Sequence, residues 1–463
     1  MWIPPSTNGL QYILFFRSYS LNFDHSQIKF ATTLVLLLFF QLTFSQNAIE
    51  KDSVATDQVQ LDTISPGMQG SVIPLSDNTY VLTGDELLDT SFPNSWPIFG
   101  SGIRMGIGGY VKADFIRDFD YLADRYEFEL GSIAVEGTPE RDLGGISTFH
   151  VKQTRLNFDF RSKAKWKNGN EFPLQVFLEV DWFFDSDDLR LIPRMRHAYG
   201  VIGRLLIGRT WTTSVDLSTI PGTIDFSGGD ALYGGRTTQI RWQDQINDTF
   251  SYAVALEDFT PQIDNVFDQP GDTRPLWPNI ASMIKARSKN GSSIQLGFDF
   301  FPVSWAGPDS IPNVSKLGYS IALTSRILLN TSVYTDAFVW GGGIGEGQGH
   351  KIIALSWDGK ASAALSPTDL TLSPSWWVFA GFNHYWSKSL NSNFSTAWAG
   401  TSLADFQDDE TISRARSFHA NLIWFPYPRV STGVEYMWGV RENNNGINGT
   451  ASRIQFMAKF KFN

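Results

Sequence analysis

The chain has 463 residues, a formal net charge of −10 and no cysteine. Disulfide scaffolds, thiolate metal centres and cysteine nucleophiles are therefore excluded, and the acidic balance argues against nucleic acid as a partner, since phosphate recognition needs a basic surface. Aromatics are abundant (36 Phe, 16 Trp, 14 Tyr) beside 40 Gly, while only 18% of residues are charged. That usage suits an outer-membrane β-barrel, whose aromatics gather at both interfaces and whose apolar residues recur at every second position.

Residues 29–46 read KFATTLVLLLFFQLTFSQ. A lysine, an apolar core and the small residues Thr43 and Ser45 before a cut at Gln46 make residues 1–45 a secretory signal peptide, with Met1–Ser26 as a start extension. A membrane anchor is the alternative, but the run is short of the roughly 20 residues a spanning helix requires. Residues 46–95 follow as an acidic extension: from Gln46 to Trp96 there are eight acids against Lys51 alone. Pro66, Gly67 and Pro74 interrupt it and no heptad appears, which predicts a flexible periplasmic segment. No later stretch of 18 apolar residues exists, so helical membrane spans are excluded.

Residues 96–463 carry a different pattern, and it predicts an all-β transmembrane antiparallel barrel. Leu156, Phe158 and Phe160 alternate with Arg155, Asn157, Asp159 and Arg161. Ile454, Phe456, Ala458, Phe460 and Phe462 alternate with Arg453, Gln455, Met457, Lys459 and Lys461. Period 2 with one apolar face is the signature of a half-buried strand, here with the apolar face toward lipid. About 16 such strands are expected, among them 317–325, 327–339 and 351–359. Short turns, as at Arg326 and Asn391, contrast with long stretches at 120–146, 261–280, 341–349 and 404–413, as in a barrel with short inner turns and long outer loops. Trp305, Trp340, Trp376, Trp377, Trp386, Trp398, Trp424 and Trp438 are expected in the interfacial girdles.

The stretch from Leu189 to Gln243 stands out: Arg190, Arg194, Arg196, Arg204, Arg209, Arg236 and Arg241 face only Asp216, Asp225 and Asp230. Arginine keeps its charge at any relevant pH and offers a planar donor fork for carboxylate or phosphate, and arginine-rich rings in pores favour anions. Arg194, Arg196, Arg209, Arg236 and Arg241, assisted by Lys112 and Arg155, are the candidate lining residues. The loop from Thr210 to Gly235, with Trp211, Asp216 and Asp225, is expected to fold inward as a constriction loop, turned by Pro221, Gly222, Gly228 and Gly229. Arg209 shares parity with Leu205 and Ile207, so it reaches the lumen only if its strand has ended or bulged there. Pairing of the arginines with Asp159, Asp181, Asp216, Asp225 and Glu179 is the competing role.

The segments GGYVKADFIRDFDY (Gly108–Tyr121), RMRHAYGVIGRLLIGRTWTTSVDLSTIPGTIDFSG (Arg194–Gly228) and GGRTTQIRWQD (Gly234–Asp244) resemble the core of the DcaP-like family of bacterial outer-membrane porins. The resemblance is specific over roughly residues 92–245 and a matter of pattern beyond. It implies a 16-stranded barrel, a homotrimer in the outer membrane of a Gram-negative bacterium in contact with lipid and lipopolysaccharide, and an arginine-lined constriction that passes small anionic solutes of dicarboxylate type. The coiled coil that members often carry before the barrel has no counterpart in residues 46–95, and Asn463 follows the usual terminal aromatic.

Enzyme chemistry has little support. The six histidines are scattered, with neither HExxH nor a G-x-S-x-G elbow nor a P-loop, and no cofactor or metal is expected. Asp185, Asp187 and Asp188 lack the Gly and distal Glu of a calcium loop. A surface β-protein with hydrolase activity would need a Ser, His and acid converging in the folded lumen; a secreted β-sandwich binding module would bury its aromatic faces against a second sheet.

Overall fold

In the computed structural model the described residues are 95–98, 103–184, 191–227, 229–308, 313–330 and 335–462. The leader at 1–45, the extension up to residue 94, Asp185, Asp187, Asp188, Arg190 and Gly228 lie outside them.

Alternation of apolar and polar residues continues along the chain as sixteen long strands: β1 (Ile103–Asp118), β2 (Arg155–Lys165), β3 (Glu171–Phe184), β4 (Ile192–Ile202), β5 (Leu205–Trp211), β6 (Arg236–Gln245), β7 (Phe250–Glu257), β8 (Asn279–Arg287), β9 (Ser293–Ala306), β10 (Val314–Asn330), β11 (Thr335–Glu346), β12 (Pro374–Ser387), β13 (Leu390–Thr401), β14 (Ile412–Tyr427), β15 (Val430–Asn443) and β16 (Asn448–Lys461). Each pairs antiparallel with its sequence neighbour, and β16 returns to β1 from Tyr110↔Lys461 to Asp118↔Arg453. Closure leaves no row of unpaired amides, the condition a sheet must meet in hydrocarbon.

Burial is inside out relative to a soluble protein. Lys112, Asp114, Arg155, Glu179, Arg241, Glu435 and Arg453 are buried, whereas Phe115, Ile240, Trp242, Phe418, Leu422 and Phe456 are exposed. Water-soluble folds do the reverse, so the outer belt is built for lipid. No second sheet covers the aromatic faces of the described strands, which removes the β-sandwich alternative.

One rim carries links of five residues or fewer, such as those between β4 and β5 and between β12 and β13; the other carries the segments 119–154, 212–235, 258–278, 347–373 and 402–411. Three of these long segments turn inward and share an apolar core: Leu122, Phe128, Leu130 and Ile133 from the first, Ala231 and Tyr233 from the second, Ile352 and Leu355 from the fourth, packed on Trp377, Phe379 and Met437 of the wall. Long loops that the alternation rule would leave outside thus fill part of the barrel.

Several sequence expectations change. Residues 351–359 are not a strand but part of an inward loop, with 3-10 turns at Gly349–Lys351 and Ile353–Leu355; their apolar run supplies core rather than a lipid face. Arg326 lies within β10, not at a turn, and Asn391 lies within β13. The glycines at 341–343 lie in β11. A Cβ on Gly343 would come within 2.7 Å of the Trp377 ring, and one on Gly341 within 2.8 Å of Phe379. They make room for inner-face rings instead of forming a loop. Trp377 and Trp305 accordingly pack inside, while Trp376, Trp386, Trp398 and Trp424 remain on the outside.

The outer face of β14 tests the lipid assignment. Phe418→Arg, near the middle of its apolar row, is expected to cost about 2–4 kcal/mol of folding stability in lipid vesicles, measured by denaturant titration; a loss below about 1 kcal/mol would contradict hydrocarbon contact there.

Candidate functional site

The segment 212–235 leaves the wall at Trp211 and runs once around the lumen, tied in turn to most of the wall strands. Glu257 of β7 accepts hydrogen bonds from the Thr212 hydroxyl (2.6 Å) and the Thr213 amide (2.7 Å). Gln295 of β9 donates to the Ser214 carbonyl. The Asp216 carboxylate receives Lys285 of β8 at 2.9 Å, the Ser218 amide and hydroxyl, and Thr324 of β10. Farther on, the Gly222 carbonyl accepts from Asn421 of β14; a Cβ at Gly222 would lie 2.5 Å from the Asn393 side-chain oxygen, so a larger residue would displace that amide. The Ile224 amide donates to Glu435 of β15 at 2.5 Å, and the Ile224 carbonyl accepts from Lys112 of β1 at 2.7 Å. Buried amides and carbonyls in a loop need such partners, and polar wall residues provide them. The sequence expectation of an inward-folded loop agrees with this arrangement.

The circuit ends on Phe226. Its ring stacks on Phe183 at 4.5 Å and lies 5.7 Å from the Arg155 guanidinium, 5.4 Å from Arg194 and 5.3 Å from Arg196. Arg194 clamps Asp181 with two hydrogen bonds of 2.9 and 2.8 Å, and Arg196 bridges Glu179 and Asp181 at 2.7 Å each. Arg155 also covers the Tyr110 ring at 5.5 Å. Arg236 lies 4.2 Å over Trp211, and its charge acts on Glu179 together with those of Arg155 and Arg196. Four guanidinium groups and the wall carboxylates of Glu179 and Asp181 therefore come together at this level of the lumen.

A β-bulge makes this cluster possible. Glu179 pairs with His197 and Val180 with Met195, so Arg196 is the extra residue on β4. Arg196 and its neighbour His197 are consequently both buried on the inner side. Bulges re-aim side chains in this way, and strict alternation does not foresee them.

The remaining candidates divide. Lys112 is inside but committed to Gln153, Asp114 and the loop carbonyl. Arg241 is buried against the Trp211 carbonyl and Gln239. Trp211 leaves the alternation of β5 and packs on the inner cluster of Val215, Leu217 and Met283. Arg209 is the correction: β5 continues through it without a bulge, opposite Ala198 and Thr238, so it shares the outer face with exposed Ile207. Asp216 pairs with Lys285 rather than with an arginine, and Asp225 accepts from the Phe128 and Ser227 amides. Burial alone would raise the Asp216 carboxyl, but Lys285 and Ser218 hold it below its ordinary value. Sequence reasoning missed Phe226, which carries no periodic signal, and Lys285, whose inward parity alongside Ala281 and Met283 could have revealed it.

One acid of the first long loop, Glu127, lies within the field of Arg194. Burial, with Asp124 and Asp225 nearby, pushes Glu127 up to about 8 against the opposing pull of Arg194. Burial and the adjacent Glu127 raise Glu129 well above the ordinary range. Farther along, His419 joins the loop to the wall, its ring nitrogens 2.7 Å from Asp230 and 3.0 Å from Glu435.

Two groupings of serine with histidine or acid lie among the inner loops. Ser362 lies 2.7 Å from His350, yet no carboxylate among the described residues hydrogen-bonds that ring, which packs on Phe259 and Phe301. Ser227 contacts Asp225 and Asp230, not His419. Neither meets the requirement of a base positioned between nucleophile and acid, and no metal-binding group of three or more occurs among the described residues.

The fold resembles the outer membrane channel DcaP of Acinetobacter baumannii, with a TM-score of 0.67 at 18% identity, covering 78% of this chain and 98% of that one. Looser likenesses are the anion-selective porin of Comamonas acidovorans (TM-score 0.49, 9% identity, 78% of this chain and 100% of that one) and OmpT of Vibrio cholerae (0.48, 10%, 79% and 99%). No curated protein matches the sequence. The family model described as DcaP outer membrane protein matches residues 174–462, a span that takes in Arg194–Gly228 and Gly234–Asp244, leaves out Gly108–Tyr121 and runs through the C-terminal strands. With more than half of the chain matched and a closed inside-out barrel, this is a channel protein of the bacterial outer membrane, and the chain belongs to the DcaP outer membrane protein family.

Proposed function

We propose that the channel conducts small anionic solutes, dicarboxylates in particular, past the guanidinium groups of Arg155, Arg194, Arg196 and Arg236. The observation that carries this reading is the convergence of these four guanidiniums where the inward loop presents Phe226. Arg194 and Arg196, held by Asp181 and Glu179 on one side of that ring, and Arg155 on another place positive charge at two points, which suits a solute with two carboxylates. Lys112 and Arg241 hold the loop and wall that shape the passage, and Arg209 takes no part in it.

The side bearing Arg209 supports a homotrimer. With seven residues, β5 is shorter than the 9–11 a lipid-facing strand needs, and an outward arginine is unfavourable in hydrocarbon. Protein from a neighbouring copy would relieve both. Residues 1–45 act as an export leader in this reading and 46–95 as a periplasmic extension.

Three measurements check the reading. In planar bilayers under a salt gradient the reversal potential is expected to report anion preference, with succinate reducing chloride current more than acetate does. Arg194→Gln should lower the preference about fivefold, because one charge about 8 Å away at an effective dielectric near 40 is worth about 1 kcal/mol; cation preference in the wild type would sink the proposal.

The second concerns pH. A carboxyl raised on folding contributes stability that is complete below its ordinary value of 4.5 and is lost as pH rises through about 8. Glu127 is thus neutral near pH 6 and an anion opposite Arg194 near pH 9, roughly one unit or more on either side. Anion preference should fall across that window in the wild type and stay level in Glu127→Gln. Third, the intact mass of the unheated purified protein should equal three chains that each begin at Gln46; a monomer, or a chain retaining residues 1–45, would overturn the assembly or the leader assignment respectively.

A further inference from the structure

The outer face of β14 carries an unusual pair near the loop rim. Arg414 and Arg416 are exposed and share their face with Phe418, Leu422 and Trp424, while Ala415 and Ser417 between them are buried on the inner side. Both guanidinium groups therefore project away from the lumen, and neither belongs to the cluster around Phe226.

Depth places them at a membrane interface. Trp424 marks the lower aromatic level, next to the short turn after Tyr427. Arg416 lies eight positions above it, which at about 3.4 Å per residue and a tilt of about 40° is about 21 Å along the membrane normal, and Arg414 about 26 Å. The apolar belt of such barrels is about 25 Å tall. The pair thus sits where the acyl chains of the outer leaflet give way to headgroups, on the side of the long outer loops.

Two tryptophans frame the site. Arg416 is directly opposite Trp398 of β13 in register, and its guanidinium is 5.7 Å from the Trp438 ring of β15. Trp at this level anchors to the interface, and a guanidinium against its face is held in place without losing its outward donors. No carboxylate among the described residues lies within ion-pair distance of Arg416. Arg414 is 3.3 Å from Glu442, but both are solvent-exposed, at 69% and 37%, a pairing of little strength. One net positive charge remains, with two planar forks side by side.

We infer that Arg414 and Arg416, framed by Trp398 and Trp438, form a binding site for the phosphorylated headgroup of an outer-leaflet lipid. Planar bidentate donors fit phosphate oxygens, and the tryptophans and Phe418 below take the first part of the acyl chains. The inference rests on the outer-membrane placement and is independent of the proposed anion selectivity.

Native mass spectrometry of the full-length protein in detergent tests it, with bisphosphorylated lipid A, its dephosphorylated form and inorganic phosphate as probes. The wild type should retain the bisphosphorylated lipid in preference to the dephosphorylated one. Arg416→Gln should weaken retention about tenfold, in keeping with loss of a charge-assisted hydrogen bond, and the Arg414→Gln/Arg416→Gln pair more. Glu442→Gln, which removes the competing carboxylate, should strengthen it. Inorganic phosphate should displace the lipid only weakly, because it lacks the acyl chains. Equal retention by wild type and the double variant would overturn the site. So would complete displacement by inorganic phosphate, which would mean anion binding without lipid recognition. Loss of oligomer in place of lipid would assign the face to a second copy of the chain and would equally overturn it. Reversal potentials unchanged in all three variants confirm that the barrel is folded and that the channel reading stands or falls separately.

Discussion

Hydrocarbon offers no hydrogen bonds, and that single constraint organises the molecule. Every amide of the wall must find its partner in a neighbouring strand, so the sheet has to close, and β16 meets β1 along nine residue pairs. Closure then forces a division of side chains. Outward positions such as Ile240, Phe418 and Phe456 meet lipid, and inward positions become the only place where Glu179, Asp299, Glu435 or Arg453 can reside.

The polar interior acts on whatever enters it. A loop without regular structure can run through the lumen because wall residues replace the water its backbone would lose: Glu257, Gln295, Lys285, Asn421, Glu435 and Lys112 each satisfy a group of the segment 212–235. Buried charges of this kind are costly unless paired, and most of them are paired, Arg453 with Asp118 and Arg161 with Asp159 among them. The cluster around Phe226 gathers guanidiniums from two wall strands about one ring of the loop.

Apolar packing contributes where the lumen is not needed for passage. Tyr233, Trp377 and Phe379 stack nearly parallel, with centroids 5.7 and 5.9 Å apart, and join the inner loops into one core with Phe128 and Ile133. Glycines on β11 give those rings their space. The inner loops are thereby fixed to the wall by two different means, hydrogen bonds along the first part of the 212–235 segment and aromatic contact from Tyr233 at its end.

Alternation along the chain determined the class, the barrel and the lipid face by itself, because a period of two is a property of adjacent residues and survives in one dimension. The concentration of arginine between Leu189 and Gln243 and the inward turn of the loop were likewise legible from composition and from the prolines and glycines at its bends. What only the tertiary structure decided depends on register or on residues distant in sequence. The bulge at Arg196 brings two consecutive side chains inside, and the unbroken strand through Arg209 sends that arginine out. Lys285, rather than an arginine, meets Asp216 across 69 residues. Phe226 becomes the hub of the cationic cluster because three wall strands converge on one loop position, and no pattern of neighbours along the chain encodes a convergence of that kind.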